Sequence, residues 1–159
     1  MTASKSLTWN GDELSAKLKA AQLKGVNATL GAAVNHAKRN HPWQNRTGIL
    51  EGAINITDPA RPIATGVEGM WGVNDAVQAR ILEVGGVITA KDGGALAIPL
   101  PGGGVVFRKS VTIPAFPYLR PAGDAEYPNL IQRIRRAYEK TGGSAADVQG
   151  SFSEGASDV

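Results

Sequence analysis

Three consecutive glycines behind a proline, Pro101-Gly102-Gly103-Gly104, separate the short apolar runs Leu96-Ala97-Ile98 and Val105-Val106-Phe107. Glycine takes positive φ angles without a Cβ penalty, and two β-prone runs joined by such a tip must turn back on one another as an antiparallel hairpin. Val105, Phe107, Val111 and Ile113 share one parity and Arg108, Ser110 and Thr112 the other. Successive strand residues point to opposite faces, so one face of the returning segment is expected to be buried and the other wet.

The segments on either side carry helical periodicity. From Asp12 to Asn40 the apolar positions Leu14, Leu18, Ala21, Ala28, Ala32, Ala33 and Ala37 recur at spacings of three, four and seven, the signature of a helix with a narrow alanine-rich stripe. Gly25 and Gly31 each cost about 1 kcal/mol against alanine. They are expected to mark a bend or a break, and two helices are possible here. Pro42 ends the element through its restriction on His41. A strand is expected from Ile49 or Leu50 to Thr57, a turn at Asp58-Pro59-Ala60-Arg61-Pro62, and a second strand in Ile63–Val73, weakened by Gly66, Gly69 and Gly72. Asp75–Val84 reads as a short helix, with Asn74 or Asp75 as N-cap and Gly85 just past its end. Its inward side is assigned to Val77, Ile81, Leu82 and Val84. After the proline-rich 114–121 segment, Tyr127–Lys140 forms a helix with Leu130, Ile131, Ile134, Ala137 and Tyr138 on one face and Arg133, Arg135, Arg136 and Lys140 off it.

A length of 159 residues suits one domain with its own core, assigned here to residues 1–141. Residues 142–159 lack apolar periodicity and read as a flexible acidic tail, dangling or ordered by a partner subunit. The absence of cysteine excludes disulfides, thiolate zinc sites and cysteine nucleophiles, and suits assembly in a reducing cytoplasm. No apolar leader follows Met1 and no apolar run approaches the ~18 residues of a membrane span, so the chain is read as soluble and unexported. Charge is uneven. Residues 1–46 hold seven Lys/Arg against Asp12 and Glu13, a balance of +5, while the last nineteen residues hold Asp147, Glu154 and Asp158 with no base. Such asymmetry fits DNA, acidic neighbours in an assembly, or simply solvated helix faces.

Catalytic patterns are missing. His36 and His41 are five apart and cannot share a helix face as metal-ligand pairs do. Gly102-Gly103-Gly104 has no following Lys-Ser/Thr for a phosphate loop, there is no Gly-x-Ser-x-Gly elbow, and the acids are scattered. No enzyme activity, metal or cofactor is expected. Three places stand out as contact candidates. Glu83 lies near a helix C-terminus, where the dipole disfavours a carboxylate, which points to a partner such as Arg80 or an Arg of another chain, or to simple solvation. Arg46-Thr47-Gly48 reads as a structural turn, or as a partner or DNA contact. Arg133-Ile134-Arg135-Arg136 is a basic helical face, either solvated or a contact for phosphate or an acidic subunit. No base-reading motif accompanies it.

Several fragments then fall in an ordered series. Pro42-Trp43-Gln44-Asn45-Arg46-Thr47-Gly48-Ile49-Leu50 follows the first helix, Gln78-Ala79-Arg80-Ile81-Leu82-Glu83-Val84-Gly85-Gly86 comes next, and Lys91, Ala95-Leu96-Ala97-Ile98-Pro99 and Lys109 to Pro121, containing Ile113-Pro114-Ala115-Phe116-Pro117-Tyr118-Leu119-Arg120-Pro121, complete it. This series resembles the tail-completion and virion-morphogenesis proteins of tailed bacteriophages over about Asp12–Lys140. Phe116 stands where that family has Arg, and Tyr118 where it has Phe. The resemblance implies an α+β fold, with a long N-terminal helix and a C-terminal helix packed on a small, mostly antiparallel sheet with an extended hairpin. It also implies a non-enzymatic virion protein that forms a hexameric homo-oligomeric ring at the head-tail junction. Its partners would be the tail tube protein and neck or connector proteins, with transient contact to packaged DNA, no membrane, and assembly in the host cytoplasm. On that basis the expected subunit interface comprises Arg46, Glu83, Gly102, Gly103, Gly104, Phe107, Arg108, Phe116, Tyr118 and Arg120, with Arg133, Arg135 and Arg136 as contacts to DNA or an acidic partner. A neck or head-closure connector subunit and a small basic DNA-binding module are the alternatives.

Overall fold

The computed structural model describes residues 10–44, 47–74 and 77–142; the acidic tail assigned above thus lies, but for Gly142, outside the described residues. The fold is α+β. In chain order the elements are α1 (Gly11–Arg39), α2 (Ile49–Ala53), β1 (Ile54–Ile63), β2 (Gly66–Val73), α3 (Val77–Val84), β3 (Gly86–Thr89), β4 (Leu96–Pro99), β5 (Val105–Arg108), β6 (Ser110–Ile113), α4 (Leu119–Glu126) and α5 (Leu130–Lys140). The strands pair as three two-stranded ribbons, β1 with β2, β3 with β6 and β4 with β5. By internal contacts the chain divides into two units. One holds the start of α1 to Leu30, Asp58–Met70 and the chain from Tyr127; the other holds Gly31–Thr57 and Trp71–Glu126.

In the first unit, α1 packs against α5 through a glycine. A Cβ on Gly25 would run into the Ile134 side chain and come within 2.9 Å of the Ile134 backbone nitrogen and Cα, so only glycine allows the two helix backbones to approach this closely. The helix itself is continuous from Gly11 to Arg39, which corrects the expected break into two helices: Gly25 serves the packing of α5, and the helical cost of glycine is offset by that contact. Ala21, Leu30 and Tyr138 are buried in this unit. Asn27 Oδ1 accepts a hydrogen bond from the Ala60 N–H at 2.8 Å, tying α1 to β1. Arg61 Nη2 donates to Glu68 Oε1 at 2.8 Å across the β1–β2 ribbon. The turn expected at Asp58–Pro62 is strand, and the chain reverses instead at Ala64-Thr65; a two-stranded ribbon has two unpaired edges, where proline is admitted.

The second unit holds a core of Val34, Ala37, Ile54, Tyr118 and Ala122, with Trp43, Trp71, Val73, Leu82 and Leu119 packed against it. Trp43 stacks on His41 with ring centroids 3.6 Å apart and meets Tyr118 edge-on at 5.7 Å. Ile49–Ala53, expected to open a strand, is a helical turn. Gly48 at φ 72° starts it, the Gly52 N–H donates to the Gly48 carbonyl at 2.8 Å, and Leu50 turns into the unit while Ile49 stays 65 % exposed. The strand starts at Ile54 instead. α3 ends at Gly85, whose φ of 72° is the left-handed conformation that closes many helices. The proposed cap Asp75 and the side chain of Val77 lie outside the described residues. Val84, assigned to the inward side, is 65 % exposed because it sits at the last helical position, beyond the face that Leu82 presents to the core.

Two corrections concern the C-terminal third. Leu119–Glu126 is a helix inside what reads in sequence as a proline-rich connector; Pro121 falls in its first turn, where a missing N–H leaves no intrahelical bond unmade. The last helix proper starts at Leu130 after a 3₁₀ turn at Tyr127–Asn129, and Ile131, placed on its apolar face, is 74 % exposed. Among the described residues no helix is long and apolar enough to cross a membrane.

Candidate functional site

The hairpin forms as expected and is longer than its tip suggests. β4 and β5 pair antiparallel with Leu96 opposite Arg108, Ala97 opposite Phe107, Ile98 opposite Val106 and Pro99 opposite Val105. β3 and β6 continue the same outward and return paths, from Gly86 opposite Ile113 to Thr89 opposite Ser110. The Ala90 N–H donates to the Lys109 carbonyl at 2.9 Å, linking the two ribbons. The outgoing strand carries the extra residues, including a 3₁₀ turn at Lys91–Gly93, opposite Lys109 alone. At the tip Gly102, Gly103 and Gly104 have φ of 106°, 97° and 93°, a region that strains any residue with a Cβ.

No residue from Gly86 to Ile113 is buried. Val105 is 52 % and Phe107 67 % exposed, which overturns the expectation that this face is covered. Ala97, Pro99, Val105 and Phe107 pair as cross-strand neighbours on one exposed face, with Leu100 exposed beside them and Val87 and Ile88 exposed nearer the base. The parity argument carried Val105 and Phe107 over to Val111 and Ile113, which are half-buried. β5 and β6 belong to different ribbons, separated at Lys109, so the shared parity does not impose a shared environment.

The base of this arm is held by Glu83. Its Oε2 accepts the backbone N–H of Tyr118 at 2.8 Å and of Leu119 at 3.0 Å, and its Oε1 accepts that of Arg120 at 2.9 Å. The carboxylate at the end of α3 is therefore the cap of α4, where free N–H groups and the helix dipole favour a negative charge. Within the chain its partners are these backbone N–H groups and not Arg80. Burial raises the Glu83 pKa, but the three N–H bonds and the Arg120 charge outweigh it and hold the carboxyl below its ordinary value. The Phe116 N–H donates to the Leu82 carbonyl at 2.6 Å, so the strand that leaves the arm is bound to the helix that enters it.

Glu83 and Tyr118 are adjacent for a second reason. Burial, and then the nearby Glu83 charge, push the Tyr118 hydroxyl up to about 12. The side chain is buried, and its hydroxyl and the buried Trp43 Nε1 have no hydrogen-bond partner among the described residues. Of the ten residues expected at an interface, Gly102, Gly103, Gly104, Phe107 and Arg108 thus lie together on the arm. Glu83, Phe116, Tyr118 and Arg120 lie at its base, where Tyr118 is a core residue and only the Arg120 side chain is exposed. Arg46 falls outside the described residues.

A separate feature belongs to the first unit. Lys24 and Ala28 of α1 and Arg133, Arg136, Ala137 and Lys140 of α5 line a groove of about 300 Å³. Arg133 Nη1 lies 3.4 Å from Thr29 Oγ1, and that buried hydroxyl donates to the Gly25 carbonyl at 2.9 Å. Of the three arginines expected to meet an anion, Arg133 and Arg136 line the groove and Arg135 does not. Lys24 and Lys140 complete it. The spacing of Arg133, Arg136 and Lys140 shows them on one helical stripe, but nothing local links them to Lys24.

His36 Nδ1 lies 3.5 Å from Glu126 Oε1, and His41 Nδ1 lies 2.9 Å from the Trp43 carbonyl; among the described residues no three His, Asp or Glu side chains gather as a metal site would require. No protein-family model, curated protein or solved structure matches the chain.

Proposed function

We propose that the chain is a structural subunit that assembles into a closed ring through its β arm, the role implied by its resemblance to phage tail-completion proteins. In that role the ring sits at the head-tail junction of a virion, contacts the tail tube on one side and neck proteins on the other, and performs no catalysis. The observation that supports it is the arm: Gly86–Ile113 contributes no buried residue and carries Val87, Leu100, Val105 and Phe107 in the open. A two-stranded ribbon in water is marginally stable at best, and its edges expose unpaired backbone groups that invite another strand. Laying the arm on a second copy removes both liabilities. Because the arm and the surface receiving it differ, the contact is heterologous, and repetition about an axis closes a ring. Glu83 serves this by fixing the base of the arm against α4.

Phe107→Asp combined with Val105→Asp tests the reading. Both side chains are solvent-exposed, so circular dichroism is expected to keep its wild-type spectrum while the oligomer seen by light scattering collapses to the subunit mass. Oligomers of unchanged mass would reject the arm as the interface. In the phage context, disrupting the gene is expected to leave filled heads and tails unjoined, or tails of abnormal length; normal infectious particles would reject the virion role.

A further inference from the structure

The groove between α1 and α5 presents four cations from two helices over an alanine floor. Three features make it more than a solvated basic face. The helices are locked at close approach by Gly25 against Ile134, so Lys24 on one wall and Arg133, Arg136 and Lys140 on the other are held in register. Arg133 is half-buried and anchored beside Thr29. Among the described residues no salt bridge engages Lys24, Arg136 or Lys140, and no acid lines the groove.

The polar groups of the lining side chains are all hydrogen-bond donors, ammonium and guanidinium, and the remainder is alanine methyl. An acidic peptide would bring backbone N–H groups for which these side chains offer no acceptor, whereas a phosphodiester presents acceptors alone and matches the guanidinium fork. Residues 133 to 140 span about 10 Å of helix, enough to follow consecutive phosphates of one strand. Among the described residues that line it there is no aromatic ring to stack a base and no Asn or Gln to read one. We propose that this groove binds the phosphate backbone of duplex DNA without regard to sequence. The inference goes beyond ring assembly, since it rests on the α1–α5 unit and not on the arm.

The test measures binding of a labelled duplex of arbitrary sequence across a salt series, comparing wild type with two charge-matched pairs. Arg136→Gln with Lys140→Gln removes two of the four groove cations, and Lys19→Gln with Arg135→Gln removes equal charge from exposed positions that do not line it. Wild type is expected to show a slope of log K against log salt near about −3, and the groove pair to lose roughly two units of it, with affinity at low salt falling on the order of 10- to 100-fold. The matched pair should bind within about threefold of wild type. Equal losses in both pairs, or no duplex binding by wild type, would overturn the site, as would tight binding of polyglutamate by a chain that ignores duplex. Lysine acetylation footprinting on the unaltered chain reads the same question without a variant: duplex should protect Lys24 and Lys140 and leave Lys19 reactive, and equal reactivity of all three would reject the proposal. Light scattering on the groove pair keeps the two claims apart, because a failed ring and a failed groove give different readings.

Discussion

At the scale of single residues, Glu83, Tyr118 and Gly25 carry consequences out of proportion to their size. Glu83 bonds three backbone N–H groups of a segment 35 to 37 positions away, so Glu83→Gln is expected to cost about 1–2 kcal/mol at neutral pH, the usual range for a helix cap. Because the folded carboxyl sits below its ordinary pKa, its contribution is present above the normal carboxylate range and is lost as pH falls through the folded value. Urea midpoints should therefore separate wild type from Glu83→Gln at pH 7 and converge in acid; a constant gap would show that the charge is not the agent. Tyr118 has the opposite sign. With its hydroxyl raised to about 12, the folded chain keeps a proton that the unfolded chain loses above pH ~10, so stability declines between those values and Tyr118→Phe should remove that part of the decline. Below pH ~9 the same substitution deletes a buried, unpartnered hydroxyl and should be neutral or mildly stabilising. Gly25→Ala should destabilise by ~1–3 kcal/mol despite the better helix propensity of alanine, since the backbone of Ile134 blocks the methyl; a gain in melting temperature would refute the close-approach account.

Among the elements, those specified by local chemistry were legible in the sequence. The glycine tip and its flanking runs define β4 and β5, and the alanine stripe defines α1. What escaped depends on distant partners. α4 hides among prolines because its cap comes from Glu83 in another helix. The unbroken passage of α1 through Gly25 makes sense only once Ile134 is opposite, and the same long-range pairing joins Lys24 to Arg133, Arg136 and Lys140. Parity correctly gave the alternation along β5 but not which side is wet, since burial depends on what covers a ribbon, and here Leu96, Ile98 and Val106 are half-buried while the Val105 and Phe107 side is exposed. The tip makes an element-scale prediction: Gly103→Val places a β-branched side chain at a φ of 97° and should loosen the β4–β5 pairing. Faster amide exchange at Ile98 and Val106, with α1 and α5 unaffected, would confirm a local effect; a global loss of protection would show that the arm supports the whole fold.

For the molecule as a whole, the α+β architecture includes a compact core around Tyr118 and Ile54 and an arm, Gly86–Ile113, in which no residue is buried by the described chain. Under the proposal that copies cover this arm, the exposed valines and Phe107 are the link to the ring implied by the ordered motifs. Mutation of the arm probes the mechanism of assembly, but the existence of the assembly is the prior question. Electron microscopy of the purified wild-type chain, with its mass measured by light scattering on the same sample, answers it. Closed rings of a single subunit number, hexameric by the resemblance, are the predicted result. A chain that remains monomeric at every concentration up to its solubility limit would contradict the account.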